Sequence, residues 1–310
     1  DGFQVDALYA GGQLRPDIVA DLELERHGLP ASSSEPLLSL LPDGRQLRLS
    51  ADADSETLAS ISAFSKRDAE RWPDFVAFMN QAAGFLDAAY RTPMPRLPNV
   101  SLAEGLPLAR LAMKLRGLGA RDMFRVIRAL PMSALELTEE WFESDVVRAA
   151  IGAVAVHGAT LGPMSAGAGY TLMHNWLNRG GPGHARVEGG LGRIADALVA
   201  ALKARGGQLR TSAPVQAVLA DDQRARGVRL ESGEEIAASI VISGADPRHT
   251  LLDLVGAPDL PPEFVWATQS IKMRGSVAKV HLLTDGAHGL PSGTLVVAPS
   301  VRYVERAYDA

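Results

Sequence analysis

A chain of 310 residues, 46% hydrophobic and 22% charged, has the composition of a globular protein and can bury a sizeable core in one to three domains. Its 36 acidic and 31 basic residues leave a net charge of −5, which weighs against nucleic acid as a partner. It contains no cysteine, which excludes disulfides, thiolate metal sites, a cysteine nucleophile and a dithiol redox centre.

Gly2-Phe3-Gln4-Val5-Asp6 alternates like a strand, Gly11-Gly12 makes a turn, and Pro16 stands where a helix starts, with Ile18, Val19 and Leu22 on its buried side. His27-Gly28 marks a helix end, and Ala31 to Ser34 reads as a crossing between domains. Leu37 to Leu41 and Gln46 to Leu49 flank Pro42-Asp43-Gly44-Arg45 as a hairpin. Residues 52–160 are mostly helical. Ser65 opens a helix whose core stripe is Trp72, Phe75, Val76, Met79, Ala83 and Leu86. Asp68 stands where a capping box carries Glu or Gln. Pro73 falls in the first turn or two, or moves the helix start later. Thr138-Glu139-Glu140-Trp141 starts a further helix, and Ser144 another.

Between them, residues 105–130 are basic. Arg110, Lys114, Arg121, Arg125 and Arg128 fall on one side of a helical wheel, opposite Leu111, Leu115, Leu118, Val126 and Leu130. Such a helix can lie in a membrane interface. The simpler account is a solvated face of a core helix, and Gly117 and Gly119 can split it in two. No apolar run reaches the roughly 18 residues of a bilayer span, so the expected location is cytoplasmic, with peripheral membrane contact through 105–130. Residues 157–170 are dense in small residues, which let backbone approach a neighbour closely. His157 and His174 lack a carboxylate partner in sequence and are not read as metal ligands. No G-x-S-x-G nucleophile elbow occurs. Gly180-Gly181-Pro182-Gly183 is a loop.

Residues 187–247 carry the most pattern. After Glu188-Gly189-Gly190 comes an amphipathic helix with Ile194, Leu198 and Leu202 on one face, stopped by Arg205-Gly206-Gly207. Leu209 to Ser212, Val215 to Leu219 and Gly227 to Leu230 are strand-like, with turns at Asp221-Asp222-Gln223 and Ser232-Gly233-Glu234. Ile240-Val241-Ile242 suits a strand buried on both faces of a parallel sheet. Gly190 to Ala195 matches G-x-G-x-x-A, yet no buried strand precedes it and no ribose-binding acid follows, so it is read as a glycine turn with a helix start. Toward the end, Ala278 to Leu283 and Thr294 to Ala298 read as strands, the first with Lys279 and His281 on one face.

The order G-G-x-G, helix, G-G-x-L, V-x-x-V, G-V-x-L-x-x-G-E-E-I and V-I-S-x-A-D-P resembles the phytoene-desaturase-like FAD-dependent oxidoreductases. Within the amine-oxidase-like flavoproteins it is most similar to the phytoene dehydrogenase-related, pyridine nucleotide-disulfide oxidoreductase domain-containing branch. Gly2 to Asp6, Leu14 to Ile18, Ser276 to Val280 and Glu305 to Asp309 extend the likeness along nearly the whole chain. The resemblance implies an α/β fold. A partial, three-layer Rossmann-like FAD-binding domain with an antiparallel meander would comprise 1–30 and 185–250. An α+β substrate domain, with a mixed or antiparallel sheet and a helical cap, would comprise 31–184 and 251–310. It also implies an internal piece of a longer flavoprotein, lacking the true G-x-G-x-x-G and a closing glycine segment and therefore holding FAD weakly by itself.

By the same resemblance Val215 backbone would meet the adenine, Gly189 and Gly190 the flavin end, Ser243 and Gly244 the cofactor, and Asp6 to Tyr9 the flavin ring. His157, Tyr170, His174 and Asn175 would line an apolar substrate's cavity, the first three being the side chains for proton chemistry. The implied reaction is hydride transfer to FAD from a polyene-like substrate. A membrane-peripheral lipid-binding module and a non-catalytic or split-enzyme assembly subunit, alone or in an oligomer, are the alternatives.

Overall fold

The computed structural model describes residues 14–95, 101–221, 224–273, 278, 280–281, 289 and 294–309. The predicted strands at 2–6 and 278–283, with Asp6, Tyr9 and Lys279, lie wholly or partly outside the described residues.

In chain order the elements are α1 (Pro16–Asp21), β1 (Ser32–Glu35), β2 (Leu37–Leu40), β3 (Gln46–Leu49), α2 (Ser55–Ser62), α3 (Lys66–Tyr90), α4 (Leu102–Gly117), α5 (Gly119–Ala129), α6 (Ala134–Glu139), α7 (Asp145–Val156), α8 (Ala168–Arg179), β4 (His184–Val187) and α9 (Gly192–Ala204). Then follow β5 (Val215–Asp221), β6 (Arg224–Leu230), β7 (Glu235–Ala237), a π-helical turn (His249–Gly256), α10 (Pro262–Gln269), β8 (Thr294–Val296) and α11 (Val301–Asp309). The architecture is mixed α/β, with small sheets and many helices. It divides into two compact units, Asp1–Ala201 with Gly275–Ala310, and Leu202–Arg274.

The first unit is built on α3. Its stripe of Trp72, Phe75, Val76, Met79, Ala83 and Leu86 is buried as the spacing predicts. Leu37, Leu47 and Leu49 of a mixed sheet meet it on one side, and Val126, Leu137, Val147, Ile151, Leu172 and Trp176 complete the core. In that sheet β2 pairs antiparallel with β3 through the predicted hairpin and parallel with β8. Gly44 takes φ +83° at the hairpin tip, a conformation glycine enters without steric cost. Asp54 caps α2 by accepting from Thr57 N at 2.7 Å. The bond to the Arg48 guanidinium and then the Thr57 amide hold its carboxyl at about 2, below the usual 3.8.

Several expectations are corrected here. Ala31 to Ser34 is not a bare crossing: Ser32 to Glu35 pairs antiparallel with His184 to Val187. Pro73 lies in the interior of α3, which runs unbroken from Lys66, because packing of the stripe outweighs one lost backbone bond. Thr138 does not open a helix. It closes α6, its hydroxyl returned to Ala134 O at 2.8 Å, while the true start is a capping box of Ser133 and Glu136. The basic stretch is two helices broken at Gly119, φ +83°, so its single basic face does not form.

Helix α9 and its stop at Gly206, φ +80°, match the expectation. Its buried residues are the small Ala197 and Ala201, packed on Leu24, and not the leucine face. Small side chains let the facing segment approach closely, while Leu198 and Leu202 stay partly exposed.

The second unit is an antiparallel meander in the order β5-β6-β7. Strand-like Leu209 to Ser212 pairs with nothing described, and Ser212 takes φ +54°. Ile240 to Ile242 is likewise not a buried strand, with Ile242 91% exposed. A strand needs a partner for its backbone groups, and no described residue pairs with this one.

Candidate functional site

Two places in the first unit carry chemistry. The first is on α8. Gly167 at φ +88° and Gly180 at φ +71° bound the helix. Its first turn is pressed onto the end of α5: a Cβ on Gly169 would lie 2.2 Å from Ala129 O, and Gly169 N donates to Met132 O at 2.8 Å. Trp176 Nε1 ties the helix to Asn80 of α3 at 2.9 Å. Tyr170, His174 and Asn178, four residues apart, share one face.

That face meets Tyr90 at the end of α3. An amide N–H only donates, so Asn178 Nδ2 gives its proton to His174 Nε2 at 2.8 Å. Burial lowers the His174 pKa below the ordinary 6.5, so the ring is neutral and carries its proton on Nδ1, 2.8 Å from Tyr90 Oη. Tyr90 passes its own proton to Tyr170 Oη at 2.9 Å. Burial, followed by the hydrogen bond and charge of Tyr170, pushes the Tyr90 phenol above its usual 10. The chain Asn178–His174–Tyr90–Tyr170 thus ends in the hydroxyl of Tyr170, a residue 39% exposed. It is arranged to offer a hydrogen bond there.

Of the sequence candidates, the structure joins Tyr170 and His174. His157 instead ends α7, where Asn175 Nδ2 holds its carbonyl at 2.9 Å. Its pKa is lowered by burial and then by the charges of Arg179 and His184. Sequence reasoning missed Tyr90 and Asn178. The four-residue repeat pointed to Asn178, whereas nothing local linked Tyr90 to a residue 80 positions away.

Both histidines titrate lower in the folded chain than in the unfolded one. The unfolded chain therefore binds protons that the folded chain refuses, and stability present above about 6.5 is lost as the pH falls through that value. Urea unfolding at about pH 7.5 and 5.5 is expected to show this loss, and His174→Gln to reduce it. An unchanged acid-side loss in that variant would remove His174 from the account.

The second place is the turn before α9. Gly189 and Gly190 take φ +80° and +85°, and a Cβ on Gly189 would sit 3.1 Å from Arg193 Cγ. Beside the turn is a cavity of about 490 Å³, walled by Leu14, Pro16, Val19, Leu29, Val187 and Ile194, with Glu23, Glu25 and Arg26 on its polar side. The apolar walls fit a flat ring system, and the glycine turn lies between two of them, Val187 and Ile194. They do not form a phosphate cradle. Arg193 N and Ile194 N are used by Gly190 O and Leu191 O, the nearby carboxylates have the wrong sign, and Arg26 is engaged by Glu23 at 2.5 Å. The strand before the turn, β4, is one half of a two-stranded ribbon and not a buried sheet strand.

The remaining cofactor candidates lie in the second unit. Val215 opens β5 opposite Leu230. Ser243 Oγ bonds Thr250 Oγ1 at 2.7 Å and accepts from Ala245 N at 3.2 Å, with the exposed Gly244 between them. The π-helical turn carrying Thr250 packs on β5.

No family model matches the chain. Pyridine nucleotide-disulfide oxidoreductase domain-containing protein 2 of Rattus norvegicus is 32% identical over 307 residues, covering 92% of this chain and 52% of the relative. A 4,4'-diapophytoene desaturase of Methylomonas sp is 30% identical over 115 residues, 36% of this chain and 22% of the relative. Among solved structures, a putrescine oxidase redesigned in its cofactor binding is similar at a TM-score of 0.42 and 18% identity, over 84% of this chain and 51% of that one. The chain spans about half the length of the first two curated relatives. With a match of this extent to the domain-containing protein, and shorter matches to several desaturases, the chain is a homologue of the pyridine nucleotide-disulfide oxidoreductase domain-containing proteins and, more distantly, of the phytoene desaturases.

Proposed function

We propose that this chain is part of an FAD-dependent oxidoreductase that takes hydride from an apolar, polyene-like substrate. The observation that carries the reading is the left-handed glycine pair Gly189–Gly190 set between Val187 and Ile194, two walls of a largely apolar cavity. Relatives named for the desaturation of phytoene and diapophytoene support the substrate class. Residues 1–30 and 185–250 would form the cofactor half, and 31–184 with 251–310 the substrate half.

Bound flavin supplies the hydride acceptor. The chain's own residues do the rest. Gly189 and Gly190 admit the ring edge to the backbone, and Val187 and Ile194 exclude water from it. In the second unit, Val215 is the proposed contact for the adenine, and Ser243 and Gly244 are proposed to lie near the cofactor; Asp6 and Tyr9 are the proposed contacts for the ring. Tyr170, held by Tyr90 and His174, offers a hydrogen-bond donor for which an apolar polyene has no acceptor, so no step is assigned to it. Because the cavity lacks a phosphate cradle, binding rests on the ring.

FAD added to the purified chain is expected to shift its visible band, and desalting to reverse the shift. Gly189→Val, which forces a β-branched side chain to φ +80°, should abolish it. A band that never shifts, or shifts equally in the variant, would reject this site. A stoichiometric flavin surviving desalting would show that the chain also holds the pyrophosphate.

A further inference from the structure

Helix α4 has two apolar faces. Leu115 and Leu118, at its C-terminal end, pack on the core. On the opposite side Leu102, Leu106, Ala109 and Met113 recur at spacings of four, three and four, within about 60° of arc, and every one is exposed. Leu102 is 96% and Met113 63% exposed, and the next helix adds Phe124 at 65% together with Ile127. A helix face that merely meets water carries polar residues here.

Cations surround this stripe. From Leu102 to Ala129 there are six basic residues against Glu104 and Asp122, in a chain whose net charge is −5. Arg125 reaches Asp122 at 3.6 Å and lies over the Trp141 ring, and Arg128 pairs with Glu140. Arg110, Lys114, Arg116 and Arg121 form no ion pair with a described residue. They are exposed on both flanks of the apolar stripe, where long side chains can reach outward past it.

We propose that α4 and the start of α5 form a docking surface for an anionic lipid bilayer. The stripe enters the acyl boundary while Arg110, Lys114, Arg116 and Arg121 meet lipid phosphates. Apolar residues on a strongly basic, weakly hydrophobic helix are the signature of interfacial insertion. The excess positive charge disfavours a second copy of the same face, which would set like charges together. It equally favours negatively charged lipid over neutral lipid. The break at Gly119 allows the two helices to lie at different angles while both present apolar side chains outward. This inference does not depend on flavin binding.

The test is sedimentation of the 310-residue chain with vesicles of phosphatidylcholine, with and without phosphatidylglycerol. The chain should bind the anionic vesicles, bind neutral ones far less, and release as salt rises. Met113→Glu with Phe124→Glu should weaken binding by about tenfold or more, since each puts a charge where the proposal inserts an apolar group into the bilayer. Arg110→Gln, Lys114→Gln and Arg121→Gln together should remove the preference for anionic lipid. All five side chains are exposed, so thermal unfolding should be unchanged, which separates lost docking from lost folding. Failure to sediment with anionic vesicles, or equal binding by the glutamate variant, would overturn the proposal. So would a dimer in solution that this variant dissociates without any vesicle binding, because the face would then be a self-interface.

Discussion

Trp72→Ala is expected to lower the stability of the first unit by about 3–5 kcal/mol, measured as a fall in the urea midpoint. Trp72 is fully buried. Its ring lies 5.6 Å from Phe75, 5.9 Å from Phe142 and 6.4 Å from Trp176, and its Nε1 donates to Ser50 O at 3.1 Å. Alanine there removes the Trp72–Trp176 contact between α3 and α8, leaving that of Phe75 with Trp176 at 5.8 Å, and leaves a cavity that the surrounding helices cannot fill without moving. It also strands the Ser50 carbonyl. Trp72→Phe keeps most of the volume and should lose about 1–2 kcal/mol through the hydrogen bond and the residual void. The two helices that Trp72 joins also carry Tyr90 and Tyr170, so the alanine variant should disturb the tyrosine–histidine chain as well. A loss below about 1 kcal/mol for Trp72→Ala would mean that the aromatic cluster is not what holds α3 to α8.

What was legible in the sequence follows the range of the forces involved. The α3 stripe, the hairpin around Gly44 and the stop at Gly206 depend on residues within one turn or one loop, and each appears as read. The start of α6 was misplaced because Thr138-Glu139-Glu140 looks like a helix opening, whereas the reciprocal bonds of Ser133 and Glu136 had already begun one. Leu209 to Ser212 and Ile240 to Ile242 have strand composition, but pairing is supplied from outside a segment and none is formed by the described residues. The same distinction runs through the candidate site. Tyr170 and His174 were named through the resemblance of their segment to a known family, and their spacing of four residues is a local feature that puts them on one face. Tyr90 was not, because its role arises only when α3 and α8 pack together.

Asp68 shows the distinction most sharply, and its replacement by alanine is the second large effect expected, about 2–4 kcal/mol. In sequence it stands at the third position after Ser65, where a capping box returns a side chain to the cap. Ser65 does accept from Asp68 N at 3.1 Å. The Asp68 side chain, however, leaves its own helix. Its two oxygens accept from Glu143 N and Ser144 N, both at 2.9 Å, and the residue is fully buried. These are amides at the entrance of α7, whose cap residue Ser144 makes no side-chain cap bond. One side chain therefore does at α7 what a local cap does elsewhere, and fastens α3 to it across 75 residues of chain. Alanine leaves two half-buried donors without their acceptor, and each such donor loses about 1–3 kcal/mol. Asparagine keeps one acceptor but turns an N–H toward the other amide, so it should rescue less than half of the loss. Glu143→Gln, which alters the half-buried bond from Ser65 and the exposed one from Arg67 but keeps an amide oxygen to accept, should change stability by less than about 1 kcal/mol. Full rescue by asparagine would show that a single backbone amide carries the effect, and that the second bond adds nothing to the joint between the two helices.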